Sequence, residues 1–423
     1  MLIIHDPLGL AMMLGLIAKE VPFLFLMVLA ALPQTDAERL MRVSGSFGYG
    51  RISGWMKIVL PRIYPKIRLP VLAVIVYASS VVDVALILGP TRPPTLAVQL
   101  TRWMNDPDLA MRFQASAGAM LQLGVTAAAI ILWLAGERLV ARLAGSMLAD
   151  GRRYPRDIGP RALMACATAL LAALVIGGVL ALVPWSFAGL WSFPDPLPRA
   201  MTLANWSQAL PQAGAAIATT LSVGLGALAC ATILTIGCLE NELRTSRPIS
   251  RRALVLVYAP LLVPQVAFLF GLQFLFLVSG VGSRWIALVA AHFLFVLPYM
   301  FLSLGDPWRA WDMRYAHVAA GLGAGPARIF WRIRLPMMLR PILTAAAVGF
   351  AVSVSQYLPT LLIGGGRWAT VTTEAVALAS GGNRRLIAIY ALIQMALPFF
   401  GFAIALGVPA LLYRNRAAMR HSE

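Results

Sequence analysis

Long apolar stretches, separated by short polar segments, follow one another along the whole chain. A membrane-spanning helix needs about 20 mostly apolar residues, and nine stretches meet this requirement. They cover residues 7–32, 68–90, 113–136, 162–184, 213–238, 253–278, 284–304, 341–363 and 386–412. Prolines inside some of them, such as Pro260 and Pro298, are tolerated because neighbouring helices can satisfy the freed backbone groups. The pattern therefore predicts an all-α fold, a polytopic membrane helix bundle of about nine transmembrane helices.

The composition argues against a water-soluble protein. Of the 423 residues, 60% are hydrophobic and 12% are charged, whereas soluble domains carry about a quarter charged residues. The net charge of +18 would indicate nucleic-acid binding in a soluble protein. In a membrane protein the same charge indicates Arg-rich cytoplasmic loops. The position of the basic residues along the chain decides between these two interpretations.

The basic residues are concentrated in alternate loops. Loops 32–68, 137–162, 239–252 and 304–340 and the tail from residue 413 carry 26 of the 35 basic residues, whereas the loops on the other side carry 8. Because cytoplasmic loops are enriched in Lys and Arg, the first group is predicted to be cytoplasmic, together with the C-terminus. Topology then explains the charge, so we expect contact with membrane lipid and no nucleic-acid partner.

Two of the predicted cytoplasmic segments are similar to each other. Residues 39–61 read RLMRVSGSFGYGRISGWMKIVLP, and residues 314–336 read RYAHVAAGLGAGPARIFWRIRLP. One constant offset aligns Gly48 with Gly323 and also aligns the two Leu-Pro pairs, and it continues into the following apolar stretch. Both copies face the cytoplasm, so the sequence predicts a parallel repeat related by an axis along the membrane normal.

The repeat divides the chain into two predicted permease-like halves of unequal length. Residues 1–145 contain about three transmembrane helices and a cytoplasmic loop at 36–61, whereas residues 146–423 contain about six and a loop at 307–336. We therefore expect the first copy to be incomplete and to lack about three leading helices. A truncated chain, a misassigned start codon and a natural reduction of the domain are alternative explanations.

The segment from Ala319 to Pro326, followed by Leu335-Pro336, resembles the EAA loop of inner-membrane permeases of binding-protein-dependent ABC importers. The pattern of that loop is Glu-Ala-Ala, three residues, Gly, a spacer and Leu-Pro, and here His317 replaces the Glu. In the family, the loop docks in a groove of the ATPase subunit and transmits its closure. The resemblance thus implies ATPase-coupling loops built on Gly48, Gly50, Leu60, Pro61, His317, Ala319, Gly323, Gly325, Leu335 and Pro336.

Residues 89–100 and 364–376 resemble the outward-facing segments of fused double permeases of the iron(III) and thiamine type. The resemblance implies a permease of the bacterial inner membrane that moves a small solute, such as thiamine or a related cation, delivered by a periplasmic binding protein. None of the three lysines lies in a nucleotide-binding P-loop. We therefore expect ATP to be used by separate cytoplasmic ATPase subunits, predicted to be a homodimer, with no cofactor and no enzymatic activity in this chain.

Polar residues inside the apolar stretches are candidates for the translocation path. A charge at mid-bilayer costs about 2.5–3.5 kcal/mol on insertion scales, so such residues need a structural or a functional reason. Asp83 could face the path and favour a cationic solute, or it could be a structural partner of a neighbouring helix or of Lys19. The candidates for the path are Asp83, Gln265, Gln356, Tyr357 and Glu374.

Two other classes of function compete with the ABC permease. A secondary transporter coupled to an ion gradient is the main alternative, since some secondary transporters also have parallel halves. A membrane enzyme would need acidic or His residues clustered at one membrane face, but the four histidines are scattered along the chain. No metal-binding or catalytic residues are therefore predicted.

Overall fold

The structure is a computed structural model that describes residues 5–149, 153–155, 157–191, 195–281 and 284–414. Within these ranges the regular elements are helices, and β-bridges occur only as isolated pairs, such as Ala188 with Met201. Among the residues that the structure describes, six helices are long and apolar enough to cross a membrane, or up to eight if each of two bent helix pairs is one span. The predicted all-α, polytopic membrane helix bundle is confirmed.

The chain divides into two compact units. The first comprises Met1–Ala181 with Leu261–Phe268, and the second comprises Leu182–Pro260 with Leu269–Glu423. The helices up to residue 187 are α1 Leu10–Ala31, α2 Ala37–Ser46, α3 Arg51–Gly54, α4 Leu60–Ser80, α5 Asp83–Leu88, α6 Leu96–Met104, α7 Met111–Ala149 and α8 Ile158–Phe187.

The remaining helices belong mainly to the second unit. They are α9 Ala204–Thr245, α10 Arg251–Leu262, α11 Gln265–Val278, α12 Trp285–Arg309, α13 Arg314–Gly321, α14 Pro326–Ile329, α15 Leu335–Met337, α16 Leu339–Val354, α17 Leu358–Gly364, α18 Val371–Ser380 and α19 Arg384–Leu412. The segment Leu261–Phe268, which includes the end of α10 and the start of α11, is assigned to the first unit.

The predicted count of nine spans is not confirmed, because three of the apolar stretches are not single straight helices. The stretch 68–90 breaks after α4, where Val81 is extended, and the stretch 341–363 breaks between α16 and α17. The stretch 253–278 is bent by 110° between α10 and α11. Hydropathy measures the length of an apolar run, whereas the breaks depend on local groups. Pro264 precedes α11 and has no N–H to continue the helical hydrogen bonds. At the end of α4, the Ser80 hydroxyl donates to the carbonyl of Val76 at 2.8 Å and so competes with the helical hydrogen bonds.

The order of elements recurs at the same offset that aligns Gly48 with Gly323. A π-helical turn covers Trp55–Val59 in the first unit and Phe330–Arg334 in the second. The helices that follow the breaks, α5 and α17, begin at Asp83 and Leu358, which this offset also aligns. It aligns the starts of α6 and α18 as well. The division into permease domains at residues 145 and 146 stays a prediction.

A stripe of small residues on α9 forms the centre of the second unit. At intervals of three or four residues it buries Ala209, Ala213, Ala216, Thr220, Gly224, Ala227, Ala231 and Thr235. Such residues let helix backbones approach closely, which favours association inside a membrane. A Cβ atom on Gly349 of α16 would lie 3.1 Å from Val296 of α12 and from Leu228 of α9. The helices α9, α12 and α16 therefore pack tightly against one another.

An apolar cluster in the first unit joins α1 to the start of α4. It consists of the buried residues Ala31, Val59, Ile63 and Ile67, surrounded by Met27, Leu32 and Trp55 among others. Val59 closes the π-helical turn, so the cluster fixes the point at which the predicted cytoplasmic loop enters α4.

Candidate functional site

In both copies of the predicted coupling loop the first helix ends in the same hydrogen-bonded turn. After α13, the N–H groups of Gly323 and Ala324 donate to the carbonyls of Ala320 and Ala319, both at 2.9 Å. After α2, the N–H groups of Gly48 and Tyr49 make the same two bonds to residues 45 and 44, at 3.0 and 3.1 Å. This is the Schellman motif, which needs a left-handed residue at its centre. Gly48 has φ +80° and Gly323 has φ +83°.

The second half of each loop is also the same. Gly50 and Gly325 are extended, with ψ 158° and 164°, and each precedes a four-residue helix, α3 or α14. The π-helical turn follows, and then a helix that carries proline in its first turn, where the missing N–H is not needed. The predicted Leu60-Pro61 and Leu335-Pro336 pairs therefore mark where each loop enters the next helix.

Both loops expose apolar side chains at equivalent positions. Leu322 is 83% exposed and Phe47, its equivalent, is 60% exposed. The other exposed equivalents are Val43 with Val318 and Met56 with Trp331. Among the remaining predicted residues, His317 is exposed, whereas Ala319 lies on the buried face of α13. Exposed apolar groups on a polar, basic surface are typical of sites that contact another protein or a membrane.

The start of α13 is held by an acidic side chain. Asp312 accepts hydrogen bonds from the N–H of Arg314 at 2.9 Å and from its guanidinium at 2.7 Å. The Arg314 side-chain bond holds the pKa of the Asp312 carboxyl below its ordinary value. The carboxylate therefore stays ionised at neutral pH beside the exposed face of the loop.

The first loop is fastened by the segment that follows α7. The N–H of Gly50 and the hydroxyl of Ser53 both donate to the carbonyl of Arg153, at 3.2 and 2.9 Å. The N–H of Ile52 donates to the Asp157 carboxylate at 2.8 Å. Gly50 is required here, because a Cβ atom would lie 2.4 Å from the carbonyl oxygen of Tyr154. At Gly325, by contrast, a Cβ atom meets nothing within 4 Å.

In the first unit, Asp83 lies at the break between α4 and α5 with Lys19 of α1. The Lys19 ammonium is 4.0 Å from the Asp83 carboxylate, donates to the Tyr77 hydroxyl and lies 4.2 Å from the centre of that ring. The Tyr77 hydroxyl donates to Asp83 at 3.3 Å. The Lys19 ammonium is thus a structural partner of Asp83, which is the alternative that the sequence offers to a role in the translocation path. Glu20, adjacent to Lys19, is half-buried.

In the second unit, Gln356 and Tyr357 form the break between α16 and α17. The Gln356 amide donates to the carbonyl of His292 at 3.3 Å, while its own oxygen is buried without a hydrogen-bond partner. The His292 ring is hydrogen-bonded to Ser353 at 2.8 Å and to Thr360 at 3.0 Å. Through these hydrogen bonds, His292 of α12 is connected to α16 before the break and to α17 after it. Specific side-chain contacts therefore stabilise the break.

The remaining two path candidates lie at helix starts. Gln265 is the first residue of α11, directly after the sharp bend, and belongs to the first unit. Glu374 lies in the first turn of α18, whose cap is formed by Thr370 and Thr373. In the same turn Thr372 donates to the carbonyl of Val354, the last residue of α16. The first turn of α18, which carries Glu374, is therefore held against the end of α16.

Sequence reasoning missed several residues that the structure brings together. Glu240 and Arg334 form a buried ion pair at the base of the second loop. Two residues so far apart in the chain carry no local signal of such a pair. The sequence likewise gives no reason to predict Asp157 or His292 as functional residues. A lone acidic or His residue in a basic or apolar segment indicates a partner but does not identify it.

Comparisons with known proteins cover most of the chain. Residues 233–414 match the family model described as the binding-protein-dependent transport system inner membrane component. The inner membrane ABC transporter permease protein YnjC of Escherichia coli K12 is 33% identical over 403 residues, which cover 94% of this chain and 72% of that protein.

Two further relatives match shorter parts of the chain. The molybdenum transport system permease protein ModB of Mycobacterium tuberculosis is 30% identical over 130 residues, 28% of this chain and 49% of that protein. The putative 2-aminoethylphosphonate transport system permease protein PhnV of Salmonella typhimurium is 25% identical over 195 residues, 44% of this chain and 72% of that protein.

Proposed function

The chain belongs to the family of binding-protein-dependent inner-membrane ABC transporter permeases, and from this premise we propose that it carries a small solute through the bacterial inner membrane. A periplasmic binding protein delivers the solute, and ATP hydrolysis in separate cytoplasmic subunits drives its passage. The chain itself binds no cofactor and catalyses no reaction. Its C-terminus and both loops lie in the cytoplasm, in agreement with the distribution of the basic residues.

The observation that carries this proposal is the matching geometry of the two loops. Each loop has a short helix, a left-handed glycine, a second short helix and a π-helical turn, and one constant offset aligns the two series. Each exposes apolar side chains at the same three positions. Two equivalent docking surfaces fit two equivalent grooves, so the partner is proposed to be a homodimer of one ATPase subunit.

The residues of the loops then have distinct roles. Gly48 and Gly323 set the turn, while Gly50 and Gly325 set the direction of the second short helix. The surfaces around Phe47 and Leu322 are the parts that enter the ATPase grooves. Leu60-Pro61 and Leu335-Pro336 begin the helices through which a displacement of the loop reaches the membrane.

For the solute we propose thiamine or a related cation. The names of the relatives refer to different solutes, molybdenum and 2-aminoethylphosphonate, so they do not support one substrate. The support comes from the Asp83 carboxylate of the first unit, which lies within an apolar stretch and 4.0 Å from the Lys19 ammonium. An acidic residue within the membrane is a candidate contact for a cationic solute. Gln265, Gln356, Tyr357 and Glu374 are proposed as the uncharged and acidic lining of the path.

The test is transport by the purified chain in proteoliposomes. We expect uptake of labelled thiamine only when an ABC ATPase that co-purifies with the chain, its binding protein and internal ATP are all present. Gradient-driven uptake by the chain alone would contradict the proposal and establish a secondary transporter. ATP-dependent uptake of an anion but not of thiamine would overturn the substrate while leaving the permease function intact.

The docking role of the loops is tested by Gly323→Asp. A side chain at φ +83° is strained, and a charge beside Leu322 is unfavourable in an apolar groove. We expect normal insertion into the membrane but loss of the bound ATPase in co-purification. Gly280→Asp is the matched control, because Gly280 has φ +70° and open space around its Cβ position but lies in a predicted outside loop. Retention of the ATPase by Gly323→Asp would contradict the docking role.

A further inference from the structure

A cluster of charged side chains lies at the base of the second loop, outside the proposed docking surface. The last turns of α9 contribute Glu240, Glu242 and Arg244, and the end of α12 contributes Arg309. The π-helical turn contributes Arg334. Three structural elements of the second unit thus meet through ionised groups.

Arg334 is the central residue of this cluster. Its guanidinium donates to the Glu240 carboxylate, lies 4.3 Å from the centre of the Trp311 ring and approaches the Met313 sulfur at 3.8 Å. Arg334 is only 4% exposed. The second oxygen of Glu240 accepts from Arg244 at 2.7 Å. Charge, stacking and burial together fix the guanidinium in one orientation.

A second ion pair ties α9 to α12 directly. Arg309 donates to both oxygens of Glu242, at 2.9 and 3.0 Å. This bidentate geometry restricts rotation as well as separation. The two pairs together connect the end of α9 to the end of α12 on one side and to the π-helical turn on the other.

In the first copy, the equivalent junction between the loop and the following helix contains no ion pair at the aligned position. Val59 occupies the position equivalent to Arg334, is fully buried and packs with Ala31, Ile63 and Ile67. Replacing a buried ion pair by apolar side chains of similar volume is often neutral or stabilising. Stability alone therefore gives no reason for the second copy to keep the pair, whereas a requirement for fixed geometry does.

We infer that Glu240 and Arg334 are positioning residues that join the second coupling loop to α9, so that the loop and the helix move together when the ATPase displaces the loop. The first loop is joined to its unit by apolar packing and by the segment at Arg153. The two copies therefore present similar docking surfaces but transmit motion through different connections. This inference rests on the proposed function, since it needs an ATPase to move the loop.

The test uses spin labels at Ala327→Cys, an exposed position of α14 outside the proposed docking surface, and at the exposed Ile233→Cys, in a chain whose three native cysteines are replaced by alanine. The full complex with its ATPase is measured without nucleotide and after trapping with ATP and vanadate. With Glu240 and Arg334 intact, we expect one narrow distance distribution in both states. With Arg334→Met or Glu240→Gln, we expect a broad distribution that shifts on trapping.

Two further variants separate positioning from folding. The double variant Glu240→Met with Arg334→Met leaves neither member of the pair as an uncompensated buried charge, so it should insert and retain its ATPase, yet show the broad distribution. Arg340→Met removes an exposed arginine of α16 and should behave like the parent chain. A double variant with the parental distance and width in both states would overturn the inference. Failure of the unmodified chain to bind an ATPase would instead contradict the proposed function.

Discussion

At the residue scale, aligned glycines in the two loops have different reasons to be glycine. Gly48 and Gly323 both adopt left-handed backbone angles, which cost other residues about 1 kcal/mol or more. Gly50 and Gly325 are both extended, which any residue can adopt. Of these two, Gly50 alone lies against another backbone, at Tyr154. The sequence alone does not distinguish Gly50 from Gly325, but the backbone beside Gly50 leaves no room for a Cβ atom there.

Replacement by alanine should therefore have opposite effects on the free energy of unfolding at Gly50 and at Gly325. Gly50→Ala places a Cβ atom 2.4 Å from a backbone oxygen, so we expect it to destabilise the chain by about 1–3 kcal/mol, as overpacking does. Gly325→Ala enters open space and should be neutral or stabilise by up to about 1 kcal/mol. The measurement is the midpoint of thermal unfolding in detergent. Equal shifts for the two variants would show that the segment at Arg153 does not hold the first loop.

At the element scale, helix packing depends on a pattern that hydropathy does not detect. The central part of α9 is apolar on all sides, yet one stripe of small residues is buried against α12, α16, α18 and α19 while the opposite face is exposed. Inside a membrane, exposed leucines and buried alanines are equally apolar, so residue size identifies the packed face. Hydropathy also fails to detect the breaks after α4 and α16, because it measures only the length of an apolar run.

Two alanines on α9 provide a direct test. Ala227 is fully buried in the cluster with Leu288 and Val296, whereas Ala229 is exposed. We expect Ala227→Leu to destabilise the helix packing by about 1–3 kcal/mol and Ala229→Leu to have no measurable effect, because it only adds apolar surface toward lipid. Thermal unfolding in detergent would measure both. A larger effect at Ala229 would contradict the assigned packing face.

At the scale of the whole molecule, the distribution of charge predicts the topology. Most of the basic residues lie in alternate loops, including both predicted coupling loops. Those loops are fastened to their units differently, through Arg153 and Asp157 in the first unit and through Glu240 and Arg334 in the second. The molecule thus combines two similar proposed docking surfaces with two different internal connections.

Topology is tested by single cysteines in the background without native cysteines. Phe47 and Leu322 lie in the predicted cytoplasmic loops, and Leu109 and Leu197 lie in predicted outside loops; all four are well exposed. In spheroplasts, a membrane-impermeant maleimide should label Leu109→Cys and Leu197→Cys. It should label Phe47→Cys and Leu322→Cys only after the membrane is opened. Labelling of Leu322→Cys in sealed spheroplasts would refute the orientation.

The sequence by itself determined the membrane class, the all-α fold and the family, because apolar length and a local motif are written in consecutive residues. Short-range chemistry also identified the loop glycines that the structure places in Schellman turns. Only the tertiary structure decided where the spans break, which face of α9 is packed and which partners Asp83, Gln356 and Arg334 have. Hydropathy registers the length of an apolar run but not a break within it. The packed face and the partners depend on residues far apart in the chain, and no periodicity or spacing encodes the distance between two side chains that folding brings together.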